Sequence, residues 1–174
     1  MPPPDANISN RPMFQRTLLV VLFASLPFAL GSADRKYAGP VPPKPDVPYL
    51  MHADNLVETE VLEAKQEERS KETVAWVPGA SSPSRTPLAE PIFLLEAQKI
   101  VPEKLELYRL EVRRDRREVI FPKKQRRDSA RPIRIMIKPL DGKLYRIEAN
   151  EVLANGEYAL SPSGSDAVFC FQVY

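Results

Sequence analysis

Cys170 is the chain's single cysteine, which excludes an intramolecular disulfide and leaves the fold to stand on packing alone. His52 is the single histidine and lies far from that thiol in sequence, so the usual nitrogen and sulfur ligands of a zinc site are missing. Acidic residues show no calcium-loop spacing, and neither a metal nor a cofactor is expected. Excess charge of one sign is missing too: 25 basic side chains stand against 23 acidic ones. No global field draws the protein to nucleic acid or to an anionic membrane, so any electrostatic recognition must be local. Trp76 is the lone tryptophan, so glutamates paired for glycoside hydrolysis would lack an aromatic platform. No serine sits in a Gly-x-Ser-x-Gly elbow, and no repeat of solenoid or propeller length is visible.

The one long apolar run spans Leu18 to Leu30. It is shorter than the ~20 residues a transmembrane helix needs, and Pro27 interrupts it. Arg11 and Arg16 precede it and the small residues Gly31 and Ala33 follow, which is the anatomy of a secretory signal peptide. Cleavage is expected after Ala33, with Ala29 and Gly31 offering a second register two residues earlier. The mature chain then has roughly 140 residues, the size of one domain, with no membrane span retained and no nearby cysteine for lipid attachment. Residues 1–12 are polar and proline-rich, and Met13 is an alternative start.

Proline is what the sequence has in excess, at 19 residues. Between Gly39 and Pro48 the rings fix φ and remove N–H donors, favouring an extended polyproline spacer that leads into the domain. The expected organisation is a signal peptide over 1–33, a proline-rich spacer over 34–48 and a single β-rich domain over 49–174.

Within that domain the pattern is one of short strands. Ile133, Ile135 and Ile137 alternate on one face, Asp141-Gly142 supplies a turn, and residues 143–148 return. Leu105 to Arg113 alternates with a shift of register that a bulge near Tyr108 would explain. After a polar turn at 113–117, residues 118–122 come back as its hairpin partner. Residues 156–161 and 167–174 form another hairpin, with Phe169, Phe171 and Val173 on one face. Residues 92–96 read as a short strand. Residues 56–72 are rich in helix formers, but Val57, Thr59 and Val61 alternate with Glu58 and Glu60, and residues 73–77 look like a returning strand. Four prolines make residues 78–91 a long surface loop. The fold class is therefore all-β: a small antiparallel sandwich, with a barrel as the alternative.

The densest chemistry is basic. Arg113, Arg114, Arg116, Arg117, Lys123, Lys124, Arg126 and Arg127 cluster in or beside expected turns, with Arg131 close behind. Solvated hairpin tips account for such a pattern. Its functional reading is a binding site for an anionic envelope glycan, lipopolysaccharide or an acidic protein partner. Glu58, Glu60, Glu63, Glu67, Glu68 and Glu72 form an acidic counterpart. An envelope-acting hydrolase would use His52, Asp54 and the loop from Ser81 to Arg85. A surface assembly subunit would use an open sheet edge. Cys170, between Phe169 and Phe171, reads as a small buried hydrophobe.

The stretch from Asp46 to Val57, the loop of residues 78–91 and the ending Gly156 to Leu160 with Phe169-Cys-Phe171 resemble a family of uncharacterised bacterial exported proteins. The resemblance implies a bacterial envelope setting and carries no activity, ligand or site residue. The reading is an exported, non-enzymatic binding or structural module of the periplasm or cell surface.

Overall fold

The computed structural model describes residues 37–124 and 130–174, so the expected signal peptide lies outside the described residues. The described residues contain no α-helix. The strands are β1 (Tyr49–His52), β2 (Asn55–Glu58), β3 (Glu60–Glu63), β4 (Lys65–Glu68), β5 (Glu72–Pro78), β6 (Arg85–Thr86) and β7 (Ile92–Glu96). After a single 3-10 turn at Pro102–Lys104 come β8 (Leu105–Arg113), β9 (Arg116–Pro122), β10 (Ile135–Asp141), β11 (Leu144–Ala149), β12 (Gly156–Pro162) and β13 (Ala167–Val173).

They form two sheets. One has the order β10-β11-β7-β1-β2, and the other runs β3-β13-β12-β8-β9-β5-β4, with β6 added in parallel to β13. The second sheet cannot lie flat. Its two ends, β3 and β4, are separated along the chain by Ala64 alone, so the sheet curls into a half-barrel whose edges meet at that residue. The all-β expectation thus holds with features of both alternatives: a sandwich in which one layer is curled.

Curling creates two cores. On the convex side, Leu107, Tyr158, Leu160, Phe169 and Phe171 pack against Leu50, Phe93, Leu95 and Ile147 of the five-stranded sheet. Phe171 anchors this layer, edge-on to Phe93 at 5.0 Å and stacked on Tyr158 at 5.6 Å between centroids. On the concave side, Val77, Leu110, Val119, Ala159, Val168 and Cys170 form a second core, with Tyr108 and Phe121 packed against it. β12 and β13 are buried on both faces, which is why they carry near-continuous apolar runs.

This sharing of strands also explains β8. No bulge interrupts its pairing with β12, which runs in register from Leu105↔Pro162 to Leu110↔Glu157. Leu105 and Leu107 serve the convex core and Leu110 the concave one, so the shift seen in the sequence is a change of buried face. The stretch rich in helix formers holds three short strands, β2, β3 and β4, and no helix, and β4 pairs with β5 as the returning arm. The isoleucine hairpin is β10–β11, turning at Gly142 with φ +54°, a conformation that favours glycine. Ile133, Ile135 and Ile137 all pack on the convex core. The proline-rich stretch ends docked on the domain: Pro42 and Pro48 are buried and Val47 touches the convex core.

Candidate functional site

The basic residues do not form one patch. The β8–β9 turn is only two residues long, Arg114 and Asp115, with Arg114 at φ +57°, so Arg116 and Arg117 belong to β9. Strand alternation then sends neighbouring side chains to opposite faces.

Arg117 points into the concave side and is wholly buried, at 0% exposure. It is therefore not part of a surface available to a partner. Its Nη1 donates to Glu60 Oε2 at 2.9 Å and reaches Glu157 Oε2 at 3.5 Å. Nε donates to the Gly79 carbonyl and Nη2 to the Pro78 carbonyl, both at 3.0 Å. Burial works against the charge, but the Glu60 and Glu157 carboxylates outweigh it and hold the pKa above the ordinary arginine value.

Glu157, itself 3% exposed, carries the network into the long loop: Ser81 Oγ and Ser82 N–H donate to its two oxygens at 2.9 and 3.0 Å. Ser82 Oγ continues to the Cys170 carbonyl and Ser84 Oγ to the Glu58 carbonyl. Residues 78–86 thus form a strap stitched across one end of the half-barrel, with β6 as its last stitch.

Arg113 and Arg116 point outward at this same end. Arg116 Nη2 lies 2.7 Å and Arg113 Nε 3.8 Å from the two oxygens of Glu118, whose side chain is only 6% exposed. Arg113 also meets Glu111 at 2.7 Å, and Arg116 stacks its guanidinium 5.3 Å from the Trp76 ring, which Lys65 covers at 5.1 Å. Val112, 50% exposed, borders the same cleft as Arg114 and Asp115, and as the strand partner of Arg117 it lies on the other face of β8 from Arg113.

Lys123 and Lys124 follow the other end of β9. Seven residues separate the two ends, roughly 20 Å at ~3.3 Å per residue. There the Lys123 ammonium pairs with Glu68 at 3.0 Å, and its backbone N–H bonds to the Lys71 carbonyl. Arg126 and Arg127 lie outside the described residues. The sequence cluster is therefore divided into a tip of Arg113, Arg114 and Arg116, a buried Arg117, and a separate lysine pair.

The hydrolase constellation is only partly assembled. His52 Nε2 lies 3.0 Å from Thr86 Oγ1, which also accepts the Leu88 N–H, so the histidine does reach the strap. Asp54, however, sits exposed in the β1–β2 turn, and Ser81, Ser82 and Ser84 each direct their hydroxyl elsewhere, as described above. Cys170 is fully buried, and burial pushes its thiol up to about 12, far from a thiolate at neutral pH. Among the described residues no three His, Cys, Asp or Glu side chains are grouped to hold a metal, and no helix is long and apolar enough to cross a membrane. Of the two edges of the five-stranded sheet, β10 and β2, the β10 edge carries Lys138 and Pro139, which oppose strand addition.

What the fold defines is an all-β protein in which a five-stranded sheet packs on a curled half-barrel. Compared with protein-family models, curated proteins and solved structures, the chain matches none.

Proposed function

We propose that the chain is an exported, non-enzymatic binding or structural module of the bacterial cell envelope, and that it engages a protein partner through the β8–β9 tip. The observation that carries this reading is the pre-organised pair of Arg113 and Arg116 on the sheltered carboxylate of Glu118, at a hairpin tip that also exposes Val112. Arginines held by an acid and an aromatic ring lose little freedom when a partner arrives, and arginine with an exposed apolar side chain is the composition that protein interfaces favour.

A polyanionic glycan fits less well. Glu111, Asp115 and Glu118 balance Arg113, Arg114 and Arg116, so the tip has directed donors without the uncompensated positive field that a repeating anion would select. The serines of the strap support a non-enzymatic role, because their hydrogen bonds hold the strap in place.

Co-purification from envelope extract tests the proposal with three chains: the parent, a variant with Arg113, Arg114 and Arg116 changed to serine, and a variant with Lys123 and Lys124 changed to serine. One protein species held by the parent and the lysine variant and lost from the tip variant supports it. Equal capture by all three chains contradicts it, and glycan capture lost with the lysine pair moves the site to the opposite end.

A further inference from the structure

The half-barrel is not filled by its own side chains. A cavity of about 180 Å³ lies on its concave side, walled by Ala64, Ala75, Leu110, Val119, Phe121 and Ala159 among others. Three of these are alanines on three different strands or junctions: Ala64 at the meeting of β3 and β4, Ala75 on β5 and Ala159 on β12. Larger apolar residues there would close the space, as they do on the convex side of the same strands.

Several of the polar groups around the cavity already have partners. Gln66 donates to Asp166 at 3.0 Å, Thr73 to Glu68 at 2.7 Å, Tyr108 to Glu106 at 3.0 Å, and Ser161 to the Ala167 carbonyl at 3.1 Å. Arg117 at the strap end is taken up by Glu60, Glu157 and two carbonyls. The space opens to solvent along the exposed β12–β13 turn, residues 163–166, and its inner walls are mainly apolar. A cavity of about 150 Å³ in another protein takes up benzene, so the size is sufficient for one aromatic ring.

We infer that the half-barrel is a binding site for a compact aromatic hydrocarbon group, one ring in size. The edge-to-face pair of Tyr108 and Phe121, 5.4 Å between centroids, stands on its wall and gives an incoming ring the geometry that aromatic contacts favour. The site is independent of the tip: its walls do not include Arg113, Arg114 or Arg116.

The test titrates the purified full chain with toluene and, separately, with octanoate, following methyl and aromatic NMR signals and the thermal midpoint. The expected result is saturable shifts confined to residues of the concave core and a raised midpoint with toluene, and neither with octanoate. Ala159→Leu should abolish the toluene response while the far-UV spectrum stays that of the parent, and Ala75→Leu should do the same from the opposite wall. Shifts with octanoate alone overturn the inference in favour of a linear chain. No saturable shift with either probe overturns it outright, as does failure of both leucine variants to fold, since that would mean there is no space to fill.

Discussion

Arg117 Nη1 and Glu60 Oε2 lie 2.9 Å apart at the closed end of the half-barrel, joining β9 to β3 across strands that are not paired with each other. The guanidinium is one of the largest wholly buried side chains, and it fastens the strap by the Pro78 and Gly79 carbonyls. Removing it takes the guanidinium donors from the Glu60 carboxylate and the Pro78 and Gly79 carbonyls, and leaves the buried Glu157 carboxylate with Ser81 and Ser82 but no counter-charge.

Arg117→Met should therefore cost about 3–5 kcal/mol, the range for breaking a buried pair by deleting one partner. Arg117→Lys should recover little, because an ammonium cannot reproduce the fork that reaches a carboxylate and two carbonyls at once. Urea unfolding with an unchanged m-value checks both, and hydrogen exchange at the Ser82 N–H should accelerate. A loss below about 1 kcal/mol would show that the network does not hold the strap.

Stability should fall on the alkaline side. Burial pushes Cys170 from 9.0 up to about 12. Burial and then the Glu58 hydrogen bond push Tyr49 from 10.0 up to about 12, and burial and Glu106 do the same to Tyr108. The folded state keeps protons that the unfolded chain has released, so the contribution is complete below about pH 9 and is lost as pH rises towards about 12. Urea midpoints at pH 8, 10 and 11 should decline in that order, less steeply for Tyr108→Phe. The Cys170 thiol should react with a disulfide reagent at pH 8 only after denaturation.

On the acid side, Asp46 is the group to watch. Burial opposes its ionisation, but one oxygen accepts N–H bonds from Ile100, Lys99 and Gln98 at 2.8–2.9 Å, and these hold its pKa below the usual carboxylate value. Its contribution is present above the ordinary carboxylate range and is lost as pH falls through the lowered value. Asp46→Ala should cost about 1–3 kcal/mol at pH 7, and also strains a residue held at φ +59°. Asp46→Asn should cost less and flatten the acid limb of the stability curve. Equal acid limbs in the parent and the asparagine variant would show that another carboxylate governs this region.

The proposed export by a cleaved signal predicts a mature chain that begins at Asp34. Intact mass and N-terminal sequencing of material recovered outside the cytoplasm check this. A start at Ser32 would indicate the earlier register, and an unprocessed N-terminus would contradict export by a cleaved signal.

The β10–β11 hairpin was legible because its alternation faces one core, the β12–β13 hairpin because two short apolar runs flank a polar turn, and both turns carry a glycine, Gly142 and Gly164, in left-handed backbone. The curl was not, because it depends on β3 and β4 finding partners at opposite ends of one sheet, β13 and β5, a long-range relation with no local signature. The same blindness affected the basic cluster. Arg113 to Arg117 looks like a uniform polar turn, yet a two-residue turn places Arg117 on the inward face beside Glu60 and Glu157, which lie 57 and 40 residues away. Only strict alternation beyond a tight turn, with Val119 and Phe121 on the same face as Arg117, could have singled it out.

The tip contact is tested most directly by placing a photo-reactive residue at Val112 and irradiating intact cells, with the same residue at Val152, 71% exposed, as control. One discrete adduct from position 112, absent from position 152 and lost when Arg113, Arg114 and Arg116 become serine, is the expected result. No adduct from position 112, or the same adducts from both positions, would contradict a partner bound at the β8–β9 tip.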